Sequence, residues 1–160
     1  MNTPQQTIGR ILAIDPGEKR IGLAISDPLG MIANPLTVIE HISRDKNARR
    51  IAEIAVEKEV MMIVVGQPLN SFGEVGPSAK RSLRLANAIR KYYDKEVILW
   101  DESGSTQAAK RAYIQMGVSR KKRRGHLDEI AAIIILQTYL DVRNPPKLTD
   151  LLPWDQNFEE

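Results

Sequence analysis

The sequence predicts an α/β domain: a mixed five-stranded sheet, three antiparallel strands followed by βαβ crossovers, with helices on both faces. Three observations carry this reading. The first forty residues hold three apolar runs separated by Pro/Gly turn signals, the pattern of antiparallel hairpins. At Arg44 the apolar period changes from strand-like to helical. Beyond it, helical segments alternate with two compact apolar runs, as in parallel crossover units.

Residues 9–14 (GRILAI) are the first strand, stopped by the turn signal Asp15-Pro16-Gly17-Glu18. Residues 20–26 (RIGLAIS) follow as its hairpin partner. Asp27-Pro28-Leu29-Gly30 turns the chain again, and residues 31–39 supply a third antiparallel strand. In residues 44–59, Ala48, Ile51, Ala52 and Ala55 fall at helical spacing with Arg and Glu opposite them. Residues 61–65 (MMIVV) form a buried strand ended by Gly66, and the Pro- and Gly-bearing segment 67–77 is a long loop. Residues 78–93 are a helix with Leu85, Ala86 and Ile89 toward the core. Residues 97–100 (VILW) are the fifth strand and lead directly into Asp101-Glu102. A short Ala-rich helix over 106–116 and a last helix over 127–142 complete the order β-β-β-α-β-α-β-α-α. Residues 1–146 are expected to make one domain, and 147–160 a polar tail.

The chain has 160 residues, 42% of them hydrophobic and 27% charged, the balance of a globular domain with a real core. It has no cysteine, which excludes disulfides, thiolate metal sites and cysteine nucleophiles. The polar first six residues lack the pattern of a secretory signal. The longest apolar run, 130–136, is far short of the roughly 18 residues that span a bilayer. A cytoplasmic location with no membrane association is the expectation.

Three carboxylates stand where a site is built. Asp15 ends the first strand at the edge of the sheet centre, although an Asp before Pro also reads as a turn former. Glu102 follows the carboxyl end of a parallel strand, where ligands gather in sheets of this kind. Asp101 beside it alternates to the other face, so only one of the two can join a given cluster. Asp128 opens a helix that is apolar almost all round (LDEIAAIIIL) and shares a stripe with Ala131, Ala132 and Ile135. A carboxylate on a packed stripe is costly without a cation or donors; the rival reading is a first-turn acid favoured by the helix dipole. Together the three offer the hard oxygen ligands of two Mg²⁺ ions in phosphodiester hydrolysis. The histidines are only two, His41 and His126. His126 either orients a water or covers the start of the helix.

Net charge is +3, but cations are concentrated at Arg120, Lys121, Lys122, Arg123 and Arg124. Alone, such a run is a solvated surface or a phosphate-binding patch. A few residues ahead of Asp128, and with Lys19 and Arg20 close behind Asp15, it reads as a loop bordering a phosphate track.

The segments DPGEKRIGLAISDPLG, VGQPLNSFGEVGPSA, WDESGSTQAA and RKKRRGHLDEIAAIIILQTYLD resemble the YqgF family, in the family's order and over about residues 8–141. The resemblance implies a ribonuclease H-like fold and a nuclease described as acting on pre-16S rRNA or as a Holliday junction resolvase. Its acidic residues fall on Asp15, Glu102 and Asp128, with Mg²⁺ or Mn²⁺ as cofactor and the 5′ end of small-subunit ribosomal RNA as target. The chain departs from the family after Glu102. Ser103-Gly104 stands where Arg-Leu is usual, and Gln67 where Leu is common. If that arginine contacts phosphate, this chain binds more weakly.

The expected partner is a structured nucleic acid, RNA ahead of DNA, and the expected state a monomer or homodimer. A junction resolvase is the enzymatic alternative, one that a dimer would favour. A non-catalytic RNA-binding module for ribosome assembly is the other.

Overall fold

The computed structural model describes residues 9–68, 73–101 and 120–145, with 120–129 described by backbone alone. Its elements run β1 (Arg10–Pro16), β2 (Arg20–Ser26), β3 (Ala33–Glu40), α1 (Arg44–Glu57), β4 (Val60–Gln67), α2 (Pro77–Ile89), β5 (Glu96–Asp101) and α3 (Arg120–Arg143). The strands make one five-stranded sheet in the order β3-β2-β1-β4-β5. The first three strands pair antiparallel, while β1–β4 and β4–β5 are parallel. The mixed sheet expected from the sequence is therefore present. β1 lies at its centre, and Ile11, Leu12, Ala13 and Ile14 are fully buried.

Side chains alternate across a pleated strand, and here the alternation divides the molecule into two cores. Leu12 and Ile14 of β1, Ile21 and Leu23 of β2, and Ile63 and Val65 of β4 pack with α1 and α2. Ile11 and Ala13, with Ala24, Met62 and Val64, pack instead against Ala132, Ile135, Leu136 and Leu140 of α3. Both faces of the sheet are thus covered, which accounts for the nearly unbroken apolar runs of β1 and β4.

The helix ends follow from local chemistry. Ser43 caps α1, its Oγ accepting from the Lys46 amide at 3.2 Å. α2 starts with Pro77, whose fixed φ suits a first turn. The carboxyl end of α3 is tied to the amino end of β1 and its neighbours. The Gln137 Oε1 accepts from the Ala33 amide (3.0 Å), the Asn144 side chain donates to the Gly30 carbonyl (3.2 Å), and the Arg143 Nη1 meets the Met62 Sδ (3.2 Å).

The turn at Asp27 is built as its composition suggests. Its Oδ1 accepts from the Met31 and Ile32 amides at 2.7 and 2.9 Å, and Gly30 takes a φ of 68°. Partial burial alone would raise the Asp27 carboxyl, but the amides of Ile32 and Met31 hold it below the usual range.

Element boundaries differ from the sequence reading in several places. β1 does not stop at Ile14; Asp15 and Pro16 still pair with Gly22 and Ile21, so the turn begins only at Gly17. β4 likewise runs through Gly66 to Gln67. α2 ends at Ile89 rather than at Tyr93, whose ring folds back into the core while its hydroxyl donates to the Val60 carbonyl at 2.6 Å. α3 starts at Arg120, not at residue 127, because Lys and Arg are good helix formers and one glycine is tolerated within a long helix. The basic run is therefore helix rather than loop. The expected helix over 106–116 and the tail over 147–160 lie outside the described residues.

β3, an outer strand, carries a register shift. Leu23 faces Thr37 while Ala24 faces Pro35, leaving an extra residue in β3 between them.

Candidate active site

The two parallel pairings bring the carboxyl ends of β1, β4 and β5 to one edge of the sheet. Ile14 lies beside Val65, and Gln67 beside Asp101. Asp15 stands at that edge, half-buried. By the alternation that puts Ile11 and Ala13 against α3, it belongs to the α3 face. Because its strand continues to Pro16, Asp15 is held by a ladder rung opposite Gly22 and not by a turn. The turn-former reading is thereby set aside.

Asp101 shares the parity of Val97 and Leu99, which pack on the α1/α2 side. It stands on the opposite face from Asp15, so of the Asp101-Glu102 pair only Glu102 is left to join it. Glu102 lies outside the described residues.

Asp128 is the ninth residue of α3, and no acid occupies that helix's first turn. The dipole effect fades within a first turn, so it does not account for an acid at this position. Position 128 is in helical line with 132, 135 and 139. Ala132 and Ile135 are buried against the sheet and Tyr139 packs there too. Since the carboxyl end of α3 is anchored at the amino end of β1, the helix runs back toward the edge bearing Asp15. From Ile11 to Asp15 is roughly 13 Å of strand. From residue 137 back to 128 is also about 13 Å of helix. Among the described residues no group of three His, Asp or Glu forms a ready metal cluster.

Of the expected phosphate contacts, Arg20 opens β2 opposite Glu40 and has the parity of Ala24, so it shares the α3 face with Asp15. Lys19 sits in the preceding turn, its carbonyl accepting from the His41 amide at 2.9 Å. Arg120, Lys121, Lys122, Arg123 and Arg124 form the opening turns of α3, about 6–12 Å beyond position 128 along the axis. No helix among the described residues is long and apolar enough to cross a membrane.

A family model described as "RuvX: Holliday junction resolvase" matches residues 9–142. The chain belongs to this family. A relative from Geobacillus sp. (strain WCH70) is 47% identical over 137 residues, covering 82% of this chain and 97% of its own length. One from Myxococcus xanthus (strain DK1622) is 40% identical over 150 residues, covering 94% and 99%. Both carry the name "Putative pre-16S rRNA nuclease". Among solved structures, T. thermophilus RuvC in complex with a Holliday junction substrate aligns with a TM-score of 0.53 at 17% identity, covering 84% of this chain and 95% of that one. Fowlpox virus resolvase with junction DNA aligns at 0.51 and 15%, covering 84% and 99%. These two likenesses are of fold, and they make the sheet and its helices ribonuclease H-like. The resemblance to the YqgF family is borne out.

Within this RuvX/YqgF framework, Gln67 ends β4 and its Nε2 donates to the Ala79 carbonyl at 3.3 Å. The substituted side chain thus ties the sheet edge to the first turn of α2. Ser103 and Gly104 lie outside the described residues.

Sequence reasoning missed one feature of this edge. On the α1/α2 side of β1, a cleft of about 630 Å³ opens beside Pro16 and is lined by Arg44, Lys80, Arg81 and Arg84. The spacing of Lys80, Arg81 and Arg84 on one side of α2 was the available signal.

Proposed function

We propose that this protein is a metal-dependent endonuclease that hydrolyses phosphodiester bonds in the 5′-end processing of pre-16S rRNA. The observation that carries the reading is the position of Asp15, on the central strand at the carboxyl edge of the sheet and on the α3 face. Asp15, Glu102 and Asp128 are the proposed catalytic and metal-binding carboxylates. Their oxygens suit Mg²⁺ or Mn²⁺, hard cations that leave coordination places for water and phosphate. When bound, such ions supply an activated water and stabilise the leaving oxygen. Asp15, fixed by its rung opposite Gly22, orients the centre. Glu102 and Asp128 would complete it from β5 and α3. Lys19, Arg20 and the five cations of residues 120–124 hold the phosphate backbone. A helix that opens with five positive charges opposes its own dipole, and bound phosphate relieves that conflict.

The names of the curated relatives favour RNA. The family model's description favours a second reading, a resolvase cutting four-way DNA junctions with the same carboxylates. The test is cleavage of matched precursor-rRNA and four-way-junction substrates with Mg²⁺, Mn²⁺ or EDTA, for the parent and for Asp15→Asn. Metal-dependent cleavage of the RNA alone supports the first reading, and of the junction alone the second. Asp15→Asn keeps volume but removes charge, so cleavage should fall at least ~100-fold, given several kcal/mol of metal stabilisation at about 1.4 kcal/mol per decade. Folding and binding should persist. Substantial metal-dependent activity in this variant would mean that Asp15 is not the central ligand.

A further inference from the structure

The cleft beside Pro16 lies back to back with the proposed active site. Asp15 and Pro16 are consecutive on β1 and alternate to opposite faces, so what touches one side of this strand end is a few ångströms from what touches the other. The cleft's charge is one-sided. Arg44 from the start of α1 and Lys80, Arg81 and Arg84 from α2 line it, against one carboxylate among the described residues, that of Glu18. Arg81 is paired with Glu18 at 2.9 Å, but that pair is largely solvent-exposed and holds weakly. Arg44, Lys80 and Arg84 are exposed and, among the described residues, have no ion-pair partner within 4 Å.

A buried polar side chain adds a directed donor to this wall. Asn47 is only 3% exposed. Its Oδ1 accepts from the Ile42 amide at 3.1 Å, which fixes which end of the amide is oxygen. The opposite end, Nδ2, then donates to the His41 Nδ1 at 2.7 Å. A neutral His41 whose Nδ1 accepts carries its hydrogen on Nε2, so a ring lining the cleft is set as an N–H donor among cations.

We infer that this cleft seats the phosphodiester backbone of a second segment of the same nucleic acid, so that the substrate is held on both sides of the β1 edge. The inference rests on the nuclease reading and deepens it: the preferred substrate is branched or sharply folded. Exposed cations act in a high dielectric, where each contact is modest. Such a set suits a polyanion touching several of them better than one compact anion held tightly. Lys80 and Arg84 stand one helical turn apart, about 6 Å along α2, with Arg44 on α1 completing the line.

The test compares the parent with Lys80→Ala/Arg84→Ala and with His41→Ala. Binding of a four-way DNA junction and of an RNA stem with single-stranded flanks is measured in EDTA over a range of salt. With two phosphates no longer neutralised, the salt slope should fall by about 1.4 to 1.8 and binding should weaken roughly tenfold at low salt. His41→Ala should weaken binding without changing the slope, because a neutral donor releases no counterion. The ratio of folded or branched to linear affinity should fall in the double variant, with its melting temperature kept. If the parent binds and the double variant matches its affinity and slope, the cleft is not a phosphate seat, and the nuclease reading stands. If the parent binds none of these nucleic acids, both fall.

Discussion

Gly17, the first residue of the turn after Asp15 and Pro16, gives a sharp test of how that turn fixes the site. A Cβ built there would lie 2.2 Å from the Arg20 carbonyl oxygen, whereas real Cβ atoms essentially never approach within 3.0 Å. Gly17→Ala must therefore open the turn by roughly 1 Å, and the obstacle is backbone, which cannot swing aside. Overpacking of this kind costs about 1–3 kcal/mol. For a domain of this size that is a fall in melting temperature of about 2–12 °C. The displaced backbone is also the end of the hairpin that holds Asp15 opposite Gly22. Misplacement of catalytic groups by about 1 Å can lower a rate ~100-fold, so cleavage should drop well beyond the loss of folded protein. Gly76→Ala is the control, because a Cβ there meets nothing within 4 Å. Thermal melts and single-turnover cleavage decide the matter. A Gly17→Ala protein that melts and cuts like Gly76→Ala would refute the argument that this turn is sterically closed.

Three further outcomes are expected. Ser26 is buried and its Oγ accepts from the Ile11 amide at 2.8 Å; Ser26→Ala should cost about 1–3 kcal/mol for the orphaned N–H, read as a lower urea midpoint at unchanged slope. Replacing Lys121, Lys122 and Arg123 with alanine should weaken nucleic-acid binding and reduce its salt slope by about 0.7 to 0.9 for each phosphate no longer neutralised, while the rate at saturating substrate stays near that of the parent; equal binding curves at two salt concentrations would make these residues simple surface. Burial first, and then the charge of Asp94, raise the Tyr93 phenol from 10.0 to about 12. A raised folded-state value means that its contribution is complete below pH 10 and is lost as pH climbs from 10 toward 12. The urea midpoint of the parent should fall faster over that range than that of Tyr93→Phe, and parallel profiles would show that Tyr93 ionises alike in both states.

The sheet is legible in the sequence because its strands are short apolar runs between strong turn signals, and the helix that starts at Arg44 because the apolar period changes there from strand-like to helical. What is not legible is set by tertiary packing. Asp15-Pro16 has turn chemistry, yet its ladder with Gly22 and Ile21 keeps it in the strand. Tyr93 continues the helical pattern of α2, but its hydroxyl reaches the Val60 carbonyl only by leaving the helix. Five consecutive cations read as loop, though each is a competent helix former. Asp15 and Asp128 stand out by their context, and alternation alone confines Asp101 to the other face from Asp15. The cleft cations Arg44, Lys80, Arg81 and Arg84 come from two helices, and only the packing of α1 beside α2 brings them together.

The displaced register of β3 bears on how copies of this chain can meet. An outer strand offers an open row of amides and carbonyls to which a strand of another molecule can add, the usual opening move of aggregation. Here the row is spoiled at Pro35, which has no N–H to give, beside the extra residue that increases local twist. A foreign strand laid along β3 would leave groups unpaired, at about 1–3 kcal/mol for each one buried. Growth of the sheet from this side is therefore disfavoured, and a homodimer with two cutting centres has to be sought on the helical surfaces or at the opposite edge, β5, rather than by strand addition at β3.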